Sequence, residues 1–227
     1  MREKLKGVSV DLDGTLICTK PVEDIITAFL NRRGVKVNIG DVKDKIRSFK
    51  LNTKKILSLS RDPKDYYIRL NNAILSHLGF EDVGLAEELL NEWFEKENFR
   101  VFPDTYFFLR HVKENGLRVV ILSNNLSWEV EKVLNITSIR KYVDSISTPD
   151  ITGTFKPDQE AFHSAAKAIG LTNKDVIHIG DSIDEDYEGA LRAGMKALLV
   201  IREGEPPKGI RYVRNLIEAT ARVRYLV

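Results

Sequence analysis

The sequence predicts an α/β protein in which a doubly wound parallel sheet carries a small α-helical domain inserted after its first strand. Two observations favour this fold class. Short apolar segments alternate with helical segments after residue 103, which is typical of a Rossmann-like core. The stretch from about residue 21 to residue 99 instead has helical periodicity and no convincing strand. We expect the core domain to comprise residues 1–16 and 101–227, and the helical domain residues 17–100.

Five short apolar segments are the predicted strands, because strands buried on both faces form nearly continuous runs of Val, Ile and Leu. These segments are residues 4–11, 117–122, 143–146, 175–179 and 196–201. The spacing of apolar residues predicts helices between them, several of which stop at a glycine. These helices lie at residues 106–113, from about 127, at 159–169 and at 187–193.

The helical domain is predicted from four amphipathic segments in which apolar residues recur three and four positions apart. They are residues 21–30, 42–57, 66–78 and 85–94. Gly34 is the expected stop of the first helix. Together these segments predict a small helical bundle.

The composition indicates a globular protein without a strong charge bias. The 227 residues include 35 basic and 33 acidic side chains, a net charge of +2, which argues against a dedicated nucleic-acid binder. No apolar run reaches membrane-spanning length, the first residues lack a signal-peptide pattern, and Cys18 is the only cysteine. We expect a cytoplasmic monomer or homodimer. High charge content with Gln159 as the only glutamine resembles a thermophilic protein.

A pair of carboxylates marks the end of the first predicted strand. Asp11 and Asp13 lie in the segment DLDGTL of residues 11–16, and on an extended backbone both side chains can point into one crevice. Two close carboxylates repel unless a cation or a shared proton compensates. Such a pair suits a metal-assisted nucleophile with an acid/base partner. An ordinary Asp/Gly turn explains the same residues equally well.

Polar residues also follow two other predicted strands. Ser123 and Asn124 follow the second strand, and Asp181 and Asp186 follow the fourth. Since the ligand crevice of an open parallel sheet lies beyond the carboxyl ends of its strands, these side chains are expected to converge. Clustered Asp oxygens suit Mg²⁺. Ser123 and the adjacent backbone amides can hold phosphate oxygens, or Ser123 is simply a helix N-cap.

Lys156 is the candidate cation of the same crevice. It precedes Pro157 in the loop before the helix at residues 159–169. The proline stiffens this loop, so that the lysine can be aimed at the crevice and neutralise charge there. A solvated surface lysine is the ordinary alternative.

In this order the motifs resemble those of the haloacid dehalogenase-like hydrolases. The similarity covers residues 7 to about 200, and the first and last motifs are the specific ones. The helical domain resembles the mobile cap that this family places after its first motif. The matching residues are Asp11-Leu12-Asp13-Gly14-Thr15-Leu16, Ser123-Asn124, Lys156-Pro157, Gly180-Asp181-Ser182, Asp186, Gly189 and Ala190.

The resemblance implies a Mg²⁺-dependent phosphatase that acts on a small phosphorylated metabolite. Asp11 would be the nucleophile that forms an aspartyl-phosphate, and Asp13 the acid and base. The metal would be held directly by Asp11, Asp181 and the backbone carbonyl of Asp13, with Asp186 supporting it through water. The phosphoryl group would be bound by Ser123, Asn124 and Lys156, with Thr15 orienting the loop.

Several alternatives remain open within and outside this family. Dehalogenases usually lack the second carboxylate of the first motif, because a carbon–halogen bond needs no leaving-group proton. A phosphomutase shares the catalytic residues, and a phosphonate hydrolase would need a Schiff-base lysine in the cap. A phospho-accepting regulatory protein is a more distant alternative. Any of Asp184, Glu185 and Asp186 could support the metal, with the family's spacing favouring Asp186.

The cap carries a basic stripe that could meet an anionic substrate. This stripe comprises Lys43, Arg47, Lys50 and Lys54. Residues 41–69 have a net charge of +5 (nine basic minus four acidic), and residues 81–97 have a net charge of −6 (one basic minus seven acidic). Pairing of these charges within the bundle is the preferred alternative.

Overall fold

The computed structural model describes residues 5–49 and 52–226, and its central feature is a six-stranded parallel sheet. The strands are β1 (Gly7–Val10), β4 (Arg118–Leu122), β5 (Ser145–Ser147), β6 (Val176–Gly180), β7 (Lys196–Val200) and β8 (Tyr212–Val213). Their order is β5-β4-β1-β6-β7-β8, with every neighbouring pair parallel. The predicted α/β fold class is therefore confirmed. β1 lies between β4 and β6, which brings three strand ends together.

Helices cover this sheet. They are α6 (Thr105–Glu114), α7 (Ser127–Ile136), α8 (Pro149–Thr152), α9 (Gln159–Ala168), α10 (Gly189–Arg192) and α11 (Leu216–Leu226). One core cluster packs α9 against the sheet and includes Val120, Phe162, Ala165 and Leu199, each at most 1% exposed. The small alanines of α9 let the helix approach the strands closely.

Several elements of the second half of the chain differ from prediction. The helices α8 and α11 were not predicted at all. The helix predicted at residues 187–193 begins four residues earlier, as a π-helical turn (Ile183–Glu188) that continues into α10. Ser182 starts this turn, because its side chain accepts a hydrogen bond from the Glu185 N–H at 3.2 Å. Strand β8 was not predicted, since two residues are too few for a periodic signal.

Among its described residues, the helical segment folds as five helices rather than four. They are α1 (Val22–Arg32), α2 (Ile39–Ser48), α3 (Thr53–Leu59), α4 (Pro63–Leu78) and α5 (Val83–Trp93). The prediction of one helical segment over residues 42–57 is wrong. Phe49 is extended after α2, and the Asn52 side chain caps a new helix by accepting a hydrogen bond from the Lys55 N–H at 2.9 Å. Gly34 follows α1 at φ +79°, as expected for a helix stop.

The chain divides into two compact units, Thr19–Phe99 and the combination of Met1–Cys18 with Arg100–Val227. The first has its own core, built on Ile26, Phe29 and Leu89, each fully buried. Short strands β2 (Ile17–Thr19) and β3 (Phe99–Val101), which were not predicted, form a two-stranded sheet.

Within the described residues, none of the helices combines the length and the apolar character needed to cross a membrane.

Candidate active site

The carboxyl ends of β1, β4 and β6 enclose a cleft of about 320 Å³. Seven of the eight predicted site residues line it, and the exception is Thr15. The residues that line the cleft include Asp11, Asp13, Ser123, Asn124, Lys156, Asp181 and Asp186.

Sheet pairing fixes the position of Asp11. Its backbone N–H donates to the Ile179 carbonyl at 2.9 Å, which extends the β1–β6 ladder by one residue. Asp11 is 7% exposed, so its carboxylate is held at the base of the cleft rather than in solvent.

A tight turn follows, and it requires glycine at position 14. Gly14 has φ +72°, and its N–H donates to the Ile17 carbonyl at 2.8 Å. A Cβ atom there would lie 2.1 Å from Asp181 Oδ2. Gly14 therefore serves both the left-handed turn and the close approach of the Asp181 carboxylate to the loop.

Lys156 is buried between two carboxylates. Its Nζ donates to Asp11 Oδ1 and to Asp186 Oδ1, both at 2.6 Å, and the residue is 5% exposed. Burial opposes the ammonium charge, but the charges of Asp11 and Asp186 outweigh it and raise the pKa of Lys156. The lysine is therefore a permanent cation in the cleft and not a solvated surface residue.

The carboxylates of the cleft carry more charge than Lys156 compensates. Burial raises the pKa of Asp11 to about 8. The charge of Lys156 opposes this rise, whereas the charges of Asp186 and Asp181 add to it. Although Asp181 is an exposed residue, its carboxyl group is partly desolvated by the cleft wall, which together with Asp186 raises its pKa to about 6. Burial also opposes the Asp186 charge, but Lys156 and His178 outweigh it and lower the pKa. Such a cluster favours a further cation.

This donor set fits Mg²⁺. One carboxylate oxygen from each of Asp11, Asp181 and Asp186 lies within 4.8 Å of the others, and Mg²⁺ prefers such hard oxygen ligands. Of the three neighbouring acids in the last motif, Asp186 is buried and belongs to this cluster. Asp184 and Glu185 are exposed, and Glu185 accepts a hydrogen bond from Asn124 at 3.1 Å.

Asp186 is oriented by partners that no sequence motif indicated. His178 Nε2 lies 3.0 Å from Asp186 Oδ1, and its Nδ1 lies 2.9 Å from Ser9 Oγ. Burial lowers the pKa of His178, which favours the neutral ring. Since the carboxylate must accept, Nε2 donates to Asp186 and Nδ1 accepts from the Ser9 hydroxyl. The Ser182 N–H donates to Asp186 Oδ2 at 2.9 Å.

The Asn124 side chain holds the loop that carries Lys156. Its Oδ1 accepts from the Lys156 N–H at 2.7 Å, and its Nδ2 donates to the Lys156 carbonyl at 3.1 Å. This pairing fixes the lysine backbone from both sides. The Ser123 hydroxyl oxygen accepts from the Asn125 N–H at 3.1 Å, so the hydroxyl proton can be donated to a bound oxyanion.

Thr15 lies behind the cleft rather than in its wall. The residue is fully buried, and its Oγ1 has no hydrogen-bond partner within the described part of the chain. Its carbonyl accepts from Arg202 Nη2 at 2.7 Å, and Arg202 also binds Asp104 at 3.0 Å. Arg202 and Asp104 support the loop of the first motif, although neither belongs to a motif.

The basic stripe of the helical unit stays a prediction. Lys43 Nζ lies 3.5 Å from Glu23 Oε1 in the same unit, and Arg47 is exposed. Lys50 lies outside the described residues. The Lys43 contact agrees with the alternative that these charges pair within the bundle.

Comparison with known proteins places these residues in a family. The sequence profile of the haloacid dehalogenase-like hydrolases matches residues 5–194. A glyceraldehyde 3-phosphate phosphatase of Methanothermobacter thermautotrophicus is 32% identical over 104 residues, which cover 46% of this chain and 46% of that protein. The chain thus matches about half the length of this relative.

Solved structures share the fold over nearly the whole chain. A phosphatase of this family from Thermococcus onnurineus has a TM-score of 0.70 at 24% identity, covering 96% of this chain and 98% of its own. An L-2-haloacid dehalogenase from Xanthobacter autotrophicus has a TM-score of 0.74 at 16% identity, covering 98% and 100%. At these identities the structures indicate the fold alone.

Proposed function

The chain belongs to the haloacid dehalogenase-like hydrolases, and we propose that it is a Mg²⁺-dependent phosphatase acting on a small phosphorylated metabolite. The observation that carries this proposal is the buried contact of Lys156 Nζ with Asp11 Oδ1 at 2.6 Å, with Asp13 lining the same cleft. This arrangement supplies a nucleophile, a fixed cation and a second carboxylate at one strand end.

In the proposed reaction Asp11 is the nucleophile. One of its carboxylate oxygens attacks phosphorus, the new O–P bond forms, and the bond from phosphorus to the alcohol oxygen breaks. Lys156 and the Ser123 hydroxyl bind the oxygens of the phosphoryl group, together with the backbone N–H of Asn124. Mg²⁺, held by Asp11, Asp181, Asp186 and the Asp13 carbonyl, would neutralise charge on that group.

Asp13 serves as the acid and then as the base. Its carboxyl proton passes to the departing alkoxide, which leaves as an alcohol. The resulting carboxylate then takes a proton from the attacking water, the Asp11–phosphorus bond breaks, and inorganic phosphate is released. This requirement for a leaving-group proton favours phosphate esters over haloacids as substrates.

The relative that is named a glyceraldehyde 3-phosphate phosphatase supports a small phosphorylated metabolite as the substrate class. We also infer that the protein acts in the cytoplasm, because its single cysteine fits a reducing compartment, and we propose that it is a monomer or homodimer. The helical unit is proposed to be the cap of the family.

A turnover screen with the full chain tests the proposal. Phosphate release from a panel of phosphorylated metabolites is measured with Mg²⁺ and with EDTA. Asp11→Asn keeps the side-chain shape but removes the nucleophile, so we expect turnover to fall to background. Asp184→Asn, the same change at an exposed acid of the last motif, should keep a turnover close to that of the unsubstituted protein. Undiminished turnover by Asp11→Asn would overthrow the nucleophile assignment.

A further inference from the structure

The Asn125 amide lies between two carboxylates at the edge of the cleft. Its Nδ2 is 3.0 Å from Asp13 Oδ2 and 3.2 Å from Glu129 Oε1. Both neighbours are hydrogen-bond acceptors, so the atom that faces them is the NH₂ group, whose two N–H bonds serve one carboxylate each.

Asn125 is itself held in place from two directions. Its backbone N–H donates to Ser123 Oγ at 3.1 Å, which ties it to the end of β4. Glu129 belongs to the first turn of α7 and receives the second N–H of the amide. The side chain therefore links a strand end and a helix to Asp13, and it is half-buried.

We propose that Asn125 is a positioning residue for Asp13, which it holds in the orientation needed to protonate the leaving oxygen. This inference rests on the proposed function of Asp13. An N–H donor on Oδ2 restricts the rotation of the carboxyl group and leaves Oδ1 as the oxygen that carries the proton. When Oδ1–H transfers its proton to the departing alkoxide, the new carboxylate keeps its hydrogen bond to Asn125.

The contribution of this contact depends on the leaving group. An alkyl phosphate expels a poor leaving group that needs the proton of Asp13, whereas the p-nitrophenolate ion departs without one. Removal of a donor that acts only through Asp13 should therefore slow the hydrolysis of an alkyl phosphate and hardly affect that of p-nitrophenyl phosphate. A merely structural role of Asn125 would affect both substrates alike.

The experiment compares kcat/KM for glycerol 2-phosphate and p-nitrophenyl phosphate, because this parameter covers the steps up to the departure of the alcohol. Asn125→Leu keeps the side-chain size but removes the donor. Misorientation of a catalytic group by about 1 Å costs about 100-fold, so we expect a loss of roughly 10- to 100-fold with glycerol 2-phosphate. With p-nitrophenyl phosphate we expect a loss below about threefold, which also shows that the variant is folded.

Three further variants separate the possible failures. Asn125→Ala removes the same donor with a smaller side chain and should give the same selectivity. Asn135→Leu is the matched control, because Asn135 is an exposed residue of α7 whose amide donates to the Glu131 carbonyl at 2.8 Å. This variant should leave kcat/KM unchanged for both substrates. Asp13→Asn should show a larger selective loss than either Asn125 variant.

The outcomes distinguish the inference from the function on which it rests. If Asp13→Asn shows its selective loss of kcat/KM, then equal losses with both substrates in the Asn125 variants, or no loss, would refute the positioning role. If Asp13→Asn itself shows no selectivity, then Asp13 is not the acid and the proposed function is wrong.

Discussion

Arg202→Met should destabilise the sheet unit by stranding a buried carboxylate. Arg202 donates to both oxygens of Asp104 at 3.0 and 3.2 Å and to the Thr15 carbonyl at 2.7 Å. Its guanidinium also stacks on the Phe102 ring, 3.6 Å from the ring centre. Asp104 is 6% exposed, and after the change it would keep the Leu216 N–H at 2.7 Å as a donor.

The magnitude follows from the burial of the two partners. Breaking a fully buried ion pair costs about 3–5 kcal/mol because one charge is left without its partner. The Arg202 side chain is 20% exposed, so solvent screens part of this cost, and we expect the free energy of unfolding to fall by about 3 kcal/mol. For a protein of this size that corresponds to a decrease in Tm of roughly 6–12 °C.

Urea unfolding, followed by circular dichroism in EDTA, measures the effect. Arg192→Met is the control, because its pair with Glu188 has side chains 47% and 51% exposed and should contribute less than about 0.5 kcal/mol. Adding Asp104→Asn to Arg202→Met removes the stranded charge, so the double variant should be more stable than Arg202→Met alone. A loss below about 1 kcal/mol, or a double variant less stable than the single one, would refute this reasoning.

Two other changes test separate parts of the molecule. A Cβ on residue 180 would lie 2.2 Å from Asp186 Cγ, so Gly180→Ala should displace that carboxylate and raise the Mg²⁺ concentration for half-maximal activity by about 10- to 100-fold; an unchanged Mg²⁺ titration would contradict the assigned ligand set. Hydrogen bonds from Arg61 and Arg69, with the Arg61 charge, outweigh desolvation and hold the pKa of Asp65 well below its ordinary value of 3.8. Asp65→Asn should therefore destabilise the protein at pH 7. A lowered pKa stabilises the fold above the unfolded-state pKa, and this contribution is lost as pH falls. The difference in stability between Asp65→Asn and the unsubstituted protein should therefore shrink below about pH 4. A constant difference in urea midpoint between pH 3 and pH 7 would contradict this prediction.

The fold class was predictable because its signals are local. Strands such as β4 and β6 are buried on both faces, so their apolar runs stand out in the sequence, and helices such as α9 show their periodicity directly. Features of two or three residues, such as β8, β2 and β3, leave no such signal. The break between α2 and α3 depends on a cap at Asn52 inside an otherwise helical spacing.

The candidate site was predictable as a set of residue types and not as a set of contacts. Asp11, Lys156 and Asp186 lie in recognisable motifs, and the rule that strand ends share one edge of the sheet predicts their convergence. The commitment of the Asn124 side chain to the Lys156 backbone was not predictable, because residues 124 and 156 lie 32 positions apart and meet only in the folded chain.

The sequence by itself determined the parallel sheet, the inserted helical segment and the chemical identity of the residues at the strand ends, because each is encoded within a short stretch of chain. Only the tertiary structure decided which groups orient them. His178 contacts Asp186, 8 residues away in the sequence, and Asn125 contacts Asp13, 112 residues away. Arg202 contacts the Thr15 carbonyl, 187 residues away. Hydrogen bonds need donor and acceptor within about 3 Å, and packing of the folded chain sets such distances.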